Sequence, residues 1–415
     1  MSDPVLIWVI CALAVTGVIL RPFGWPEAVW AVLGAAALLA LRLIGPQEAL
    51  AGVADGTDVY LFLLGMMLLS EVARLEGLFD WLAAVATNHA QGSPTRLFLA
   101  IYGVGTLVTV FLSNDATAVV LTPAVAAAVR AARAKEPLPF LLICAFIANA
   151  ASFVLPISNP ANLVIYGERM PPLLQWLPQY ALPSLAAIVV TYFFLRLTQR
   201  KALRQEIASA IPVPALTASG RTAALGIVLT GIVLLAASGL GWQLGPPTAA
   251  AGLLTTVVVL VRERRNPWHV VRDISWGVLP LVAGLFVLVA ALDKSGLIAS
   301  LAAALKAEAA GSEIAAAWTT GLATALAGNV MNNLPAGLIA ADALHIADLP
   351  ERFTRAVLIG IDIGPNLSVT GSLATILWLA ALRREGLHVG AGAFLKVGVV
   401  VMPPALLAAL ALALL

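Results

Sequence analysis

"FLSNDATAVVLTP", residues 111–123, decides the fold. It sits between two apolar runs, 95–112 and 115–130, and sets Ser113, Asn114 and Asp115 side by side where the surrounding sequence reads as bilayer core. A carboxylate at the centre of a membrane helix costs about 3 kcal/mol on insertion scales, so it points to a function. A second pair of runs, 314–330 and 334–344, flanks Asn332 and Asn333 in the same way. Its arms fall short of the about 20 residues that cross roughly 30 Å of hydrocarbon. Both pairs therefore read as re-entrant hairpins, 95–130 and 314–344, with polar tips.

The rest of the chain supplies the bilayer-spanning context. Of 415 residues, 61% are hydrophobic and 11% charged, against about 25% charged in soluble domains. Apolar runs recur along the whole length, which predicts an all-α polytopic membrane protein. The spans expected are 5–20, 27–44, 58–74, 138–166, 181–197, 222–239, 245–262, 275–293, 354–382 and 393–414. Arg21 follows the first run with no basic residue ahead of it, so it reads as a span rather than a signal peptide. No GxxxxGK[ST] stretch occurs, so the chain offers no nucleotide site of its own, and nothing in it resembles a nucleic-acid module. Cys11 and Cys144 are isolated in apolar runs and form no CxxC pair. No metal or cofactor is expected, and the four histidines are read as loop residues.

Two spans are too long and are polar in the middle: 138–166 carries "LPISNPAN" at 155–162, and 354–382 carries "IGPNLSVTGS" at 363–372. Proline interrupts the helix ladder, and unwound backbone at membrane depth survives only in a cavity or under protein cover. Both are expected to be discontinuous helices. With the hairpins excluded from the crossings, 17 Lys and Arg fall on one side and six on the other. The positive-inside rule makes the first side cytoplasmic and leaves both termini outside.

The two halves repeat: 1–197 and 222–415, joined by a cytoplasmic linker at 198–221, each hold five spans, one hairpin and one broken helix. "NDATA" at 114–118 matches "NNLPA" at 332–336, and "NAASFVLPISNPAN" at 149–162 can be laid over "DIGPNLSVTGSLAT" at 362–375. Five crossings per half is odd, so the second half is expected to be inverted, the plan of secondary transporters with a midplane site. The residues brought there are Ser113, Asn114, Thr117, Asn149, Ser158, Asn162, Asn332, Asn333, Asn366, Ser368, Thr370 and Ser372, with the acids Asp115 and Asp362. Amides and hydroxyls both donate and accept hydrogen bonds, which suits a small neutral hydroxylated solute. A carboxylate or phosphate substrate usually calls for Arg, although half-helix N-termini offer another route. Either acid suits a proton carrier. A helix cap at the hairpin tip is the alternative for Asn114 and Asp115.

"FLSNDATAVVLTP", "NAASFVLPISNPANL", "NNLPAGL" and "IGPNLSVTGSLATILW" together resemble the arsenite efflux permease family, ArsB, in the wider ion transporter superfamily, and "LGMMLLSEVARLEGLFDWLA" at 64–83 fits it too. The likeness runs across essentially the whole chain. It implies export of trivalent arsenite and antimonite from the bacterial inner membrane. The driving force would be protons or a partner arsenite-stimulated ATPase on the cytoplasmic side, where loops 198–221 and 262–272 are basic. Arsenic(III) favours three thiolates, and two cysteines on separate spans cannot supply them, so recognition through hydroxyls is expected. The alternatives are a sodium/proton antiporter, a silicate-type metalloid carrier and, from another class, an ion channel. An enzyme is not expected, because no nucleophile, base and orienting group fall together.

Overall fold

The computed structural model describes residues 2–415, and among them every regular element is helical. In a bilayer this follows from the backbone, whose amides and carbonyls must be satisfied within the segment. The first half runs α1 (Asp3–Leu20), α2 (Glu27–Ala40), α3 (Pro46–Asp55), α4 (Thr57–Leu75), α5 (Leu78–His89), α6 (Pro94–Phe111), α7 (Asn114–Ala116), a π-helical turn (Thr117–Leu121), α8 (Thr122–Ala131), α9 (Leu138–Ala150), α10 (Pro160–Tyr166) and α11 (Leu173–Gln199). The second runs α12 (Ala218–Gly239), α13 (Gly245–Glu263), α14 (Trp268–Asp273), α15 (Val278–Lys294), α16 (Leu297–Gly311), α17 (Glu313–Met331), α18 (Asn333–Ala347), α19 (Glu351–Ile363), α20 (Leu373–Arg384) and α21 (Ala391–Leu414).

Among the described residues seven helices are long and apolar enough to cross alone, or up to nine with the bent pairs α3–α4 and α15–α16 counted as one span each. The seven include α6 and α17, the first arms of the two expected hairpins, at 18 and 19 residues. By length these arms could cross, and each packs with its returning arm on a common neighbour. Helix α5 lies against both α6 and α8, and α16 against both α17 and α18, so each pair of arms returns to one supporting helix. Those supporting helices lie at 78–89 and 297–311, outside every expected span and hairpin. Gly296, at φ 81°, turns the chain by 70° from α15 into α16. Helix α2 is also shorter than the expected span 27–44, ending at Ala40 before Arg42 takes a left-handed φ of 55°.

Across the halves, α2 lies on α15, α4 on α13, and α11 on α21. Exchanging the halves exchanges the first two pairs, while the third pairs the two last helices. The α4–α13 pair is packed backbone to backbone. A Cβ on Gly65 would strike the Thr248 carbonyl, and one on Gly252 would strike the Gly65 carbonyl. Small residues at such crossings are how membrane helices gain van der Waals attraction without a hydrophobic drive. The outer faces are apolar: Leu225, Val228, Leu229 and Ile232 of α12 and Leu253, Leu254, Val257 and Val261 of α13 are exposed. A soluble monomer rarely shows a continuous apolar face of that size. Here lipid covers it, and the protein is a multi-pass membrane protein.

The linker is ordered on the base of the first hairpin. Ile211 N donates to Asn88 Oδ1 at 2.7 Å while Asn88 Nδ2 donates to the Ile211 carbonyl at 3.0 Å. Ala208 N reaches the Ala132 carbonyl at 2.8 Å.

Candidate functional site

The first hairpin tip is a capped break. Helix α6 stops at Phe111, Ser113 is fully extended, and its Oγ accepts from Ala116 N at 3.2 Å. Asn114 Oδ1 accepts from Asp115 N at 2.9 Å. Ser113 and Asn114 thus provide the caps, which leaves the Asp115 carboxylate for another task. Thr117 Oγ1 lies 2.8 Å from Thr109 Oγ1 across the two arms, where the helix widens into the π-helical turn, a distortion frequent at functional sites.

At the second tip Asn332 adopts φ 75°, ψ 152°, a region that costs a non-glycine residue about 1–3 kcal/mol. Neighbouring bonds hold it there. Its Oδ1 accepts from Leu334 N at 3.3 Å, its Nδ2 donates to the Thr370 carbonyl at 3.4 Å, and Asn333 N donates to the Gly371 carbonyl at 2.9 Å. The tip is therefore tied to the second helix break.

Both long spans are broken where the prolines predicted. Between α9 and α10, Ser158 Oγ donates to the Val110 carbonyl at 3.1 Å, and Asn162 Nδ2 donates to the carbonyls of Ser152, Leu155 and Pro156 at 2.9, 3.4 and 3.2 Å. Between α19 and α20, Ser368 Oγ donates to Asn329 Oδ1 at 2.6 Å, Thr370 Oγ1 donates to the Asn329 carbonyl at 3.1 Å, and Ser372 Oγ accepts from Thr375 N at 3.1 Å. The breaks are cross-linked. Asn149 Nδ2 donates to Asn366 Oδ1 at 3.0 Å, and Asn366 Nδ2 donates to the Phe146 carbonyl at 3.0 Å. Asp362 Oδ1 accepts from Asn159 Nδ2 at 2.6 Å, while its fully buried Oδ2 has no hydrogen-bond partner.

The two tips meet. Asn114, Asp115, Asn159 and Asn333 line one crevice, closed behind by Leu63, Val278 and Leu373. Its free volume is about 10 Å³, enough for about one water. It continues into a cleft of about 70 Å³ bounded by Ser70, Glu71, Ser113, Asp115 and Asp273. On the other side lies a vestibule of about 880 Å³ lined by Asp55, Asp58, Asp293, Asp342, Asp348 and Glu351, with Arg169 and His345. One turn of α10, from Pro160 to Leu163, and one of α18, from Leu334 to Leu338, separate crevice from vestibule, about 5 Å of helix.

Of the expected site residues, Asn114, Asp115 and Asn333 face the crevice, and Ser113 faces the cleft leading to it. Thr117, Asn149, Ser158, Asn162, Asn332, Asn366 and Ser372 are buried in the frame that shapes the tips and breaks, and Ser368 and Thr370 are half-buried in it. Asp362 is buried behind Asn159. Two residues were not anticipated, Asn159 at the crevice and Asn329 in the frame. Asn159 had a signal in its place before Pro160 at the start of α10, the position of a cap, and its Oδ1 does accept from Ala161 N at 3.0 Å. Three histidines lie in helices rather than loops: His89 in α5, His269 in α14 and His345 in α18. Cys11 and Cys144 are buried on α1 and α9.

Residues 8–360 match the family described as Citrate transporter, CitMHS. The arsenical pump membrane protein of Escherichia coli strain K12 is 30% identical over 380 residues, 84% of this chain and 85% of that protein. That of Yersinia enterocolitica is 30% identical over 370 residues with the same coverage. Among solved structures, the Alcanivorax borkumensis YdaH transporter superposes with a TM-score of 0.60 at 16% identity, covering 100% of this chain and 98% of its own; that likeness concerns the fold. The chain is a membrane transporter rather than an enzyme, and it belongs to the CitMHS family together with the ArsB-like arsenical pump membrane proteins.

Proposed function

We propose that this protein exports trivalent arsenite and antimonite, as neutral hydroxides, in exchange for protons. It would work by alternating access around the two hairpin tips in the bacterial inner membrane. One observation carries the reading: the crevice between the tips offers the amides of Asn114, Asn159 and Asn333 and the carboxylate of Asp115, and neither Lys nor Arg lines it. Amides bind hydroxyls in either hydrogen-bond sense. A citrate trianion, which the family's description brings to mind, would want guanidinium or ammonium partners at its carboxylates. The two buried cysteines lie on different helices, away from the crevice lining, so hydroxyl recognition takes the place of a thiolate trap.

The half-swapped packing of α2 on α15 and α4 on α13 supports two inverted repeats, 1–197 and 222–415, with the ordered linker between them. The charge count favours a cytoplasmic linker and both termini outside; the narrow cleft would then face inward and the vestibule outward. A proton entering down about 150 mV releases roughly 3.5 kcal/mol, which sustains a gradient of a few hundredfold at about 1.4 kcal/mol per decade. An ATPase partner would dock on the basic inner loops, yet export on this reading does not require one.

Everted vesicles holding the protein, without ATP and with an imposed inside-acid pH gradient, test this directly. The expected outcome is uphill arsenite uptake that an uncoupler collapses and citrate does not inhibit. Sodium-driven pH changes without arsenite uptake would instead establish a sodium/proton antiporter.

A further inference from the structure

Asp362 is wholly buried and lines none of the three cavities described above. A solute held in the crevice therefore does not touch it. Its side chain is nevertheless tied to the crevice by a short hydrogen bond, Asn159 Nδ2 donating to its Oδ1 at 2.6 Å. Among the described residues its Oδ2 has no hydrogen-bond partner, and the Ser152 hydroxyl donates to the Asn149 carbonyl at 2.7 Å instead. The polar grip of this carboxyl thus falls on one amide, and that amide lines the crevice.

Asn159 is held at both ends. It caps α10, its Oδ1 accepting from Ala161 N at 3.0 Å, with Pro160 at the first helical position. A primary amide carries two N–H donors and two carbonyl lone pairs. The cap uses one lone pair and Asp362 one N–H, which leaves one of each for a solute. The two bonds also fix which end of the amide is which. Turned end for end, it would set its oxygen against the Asp362 carboxyl and its N–H groups against the Ala161 N–H. Without Asp362 the cap bond alone would oppose that turn.

The other break is built in the same way. Laid over 362–375, residues 149–162 put Asn149 in the place of Asp362 and Asn159 in that of Ser372. Ser372 caps α20 by accepting from Thr375 N at 3.1 Å. Asn149 Nδ2 reaches across to Thr375 Oγ1 at 3.4 Å, which is itself 2.9 Å from Ser372 Oγ. Each half so sends a polar side chain to the capped helix start of the other, and both starts, at Pro160 and Leu373, line the crevice. Of the two caps, Asn159 lines it as well.

We infer that Asp362 is a positioning residue for substrate recognition, reaching across from α19 to fix the Asn159 amide at the crevice. This role rests on the crevice being the substrate site, as proposed above. A neutral hydroxide both donates and accepts through each O–H, so it can use the free N–H and the free lone pair together. What the role needs at position 362 is an acceptor oxygen rather than a charge.

The test uses purified full-length protein in proteoliposomes loaded with arsenite. The half-saturating concentration and the maximal rate of arsenite counterflow are read with no ion gradient, so proton drive does not enter. Asp362→Ala is expected to raise half-saturation about tenfold, the scale of one lost hydrogen bond, with the maximal rate little changed. The conservative Asp362→Asn keeps an oxygen that accepts from Asn159, and it is expected to rescue most of that loss. Asn159→Ala should raise half-saturation at least as far, and adding Asp362→Ala to it should raise it no further. Wild-type half-saturation in Asp362→Ala overturns the positioning role, as does an equal loss in Asp362→Asn or an additive loss in the double variant. Should Asp362→Ala fail to fold, Asp362→Leu, close to the carboxyl in shape but with no acceptor, decides it by the same measure. Wild-type protein that exchanges no arsenite overturns the reading of the crevice itself, and the positioning role with it.

Discussion

Asp115 and Asp362 are the two acids at the hairpin tip and the second helix break, and their surroundings differ. Asp115 is half-buried at the meeting of crevice and cleft, with the capping done by Ser113 and Asn114. Removing its charge should stop proton-driven export while leaving a folded protein. Asp115→Asn is therefore expected to show wild-type expression and detergent stability with no uphill arsenite uptake in everted vesicles; full uphill uptake would end its coupling role. Asp362 depends on Asn159. Asn159→Ala strips the one hydrogen bond that Asp362 accepts from a side-chain amide, at 2.6 Å. A buried group left unsatisfied in this way costs about 1–3 kcal/mol. A lowered thermal midpoint in detergent is expected for Asn159→Ala, and the double variant Asn159→Ala with Asp362→Asn should recover part of it because the carboxyl that Asn159 held is gone. No recovery would mean that Asn159 acts mainly through its cap on Ala161 N. At this scale the sequence exposed the acids and the tip amides because their polarity contradicts their apolar setting. It could not separate crevice lining from frame, since whether Asn159 or Asn162 turns toward Asp362 depends on how the chain unwinds after Ala150.

Elements were legible in proportion to how strongly lipid constrains them. The breaks at 151–159 and 364–372 followed from Pro and Gly inside overlong apolar runs, and both are present. The supporting helices α5 and α16 were missed because their mixed faces, neither continuous nor cleanly alternating, give no membrane signal. Yet these two are the helices on which both arms of each hairpin pack. The closest crossing, α4 on α13, was also hidden, since Gly65 and Gly252 look like ordinary small residues until the backbones touch. Gly252→Val should be among the costliest conservative changes in the protein. The added carbons meet the Gly65 carbonyl and Cα, with no flexible side chain to yield, and overpacking of this kind costs about 1–3 kcal/mol. Reduced yield of monodisperse protein and a lower thermal midpoint are the expected readings. Gly239→Val, where a Cβ meets nothing within 4 Å, serves as the control.

For the whole molecule, the proposed repeat and its inversion are connected through charge. On the proposed reading an odd number of crossings per half would force opposite orientation, and the Arg and Lys of 198–221 and 262–272 would turn that side to the cytoplasm. The ion pairs at span ends add little to this. Lys294 to Glu48 at 2.6 Å is surface-exposed, and such pairs contribute at most about 1 kcal/mol. Orientation can be read with single cysteines, because the native pair is buried and lies outside the crevice lining. Cys11→Ser with Cys144→Ser is expected to keep export, and its loss at normal expression would revive a thiol site. On that background, a cysteine in place of Gln243, at the vestibule between α12 and α13, should react with a membrane-impermeant maleimide in intact cells. One in place of Ser209, exposed on the linker, should react only in everted vesicles. The reverse pattern would turn the molecule over, making the acidic 880 Å³ vestibule the cytoplasmic entrance. Protons driven inward would then reach Asp115 through the narrow cleft rather than from the vestibule side. On the proposed reading the labelling result thus fixes the side from which Asp115 meets the incoming proton, and with it the direction in which the two hairpins must open.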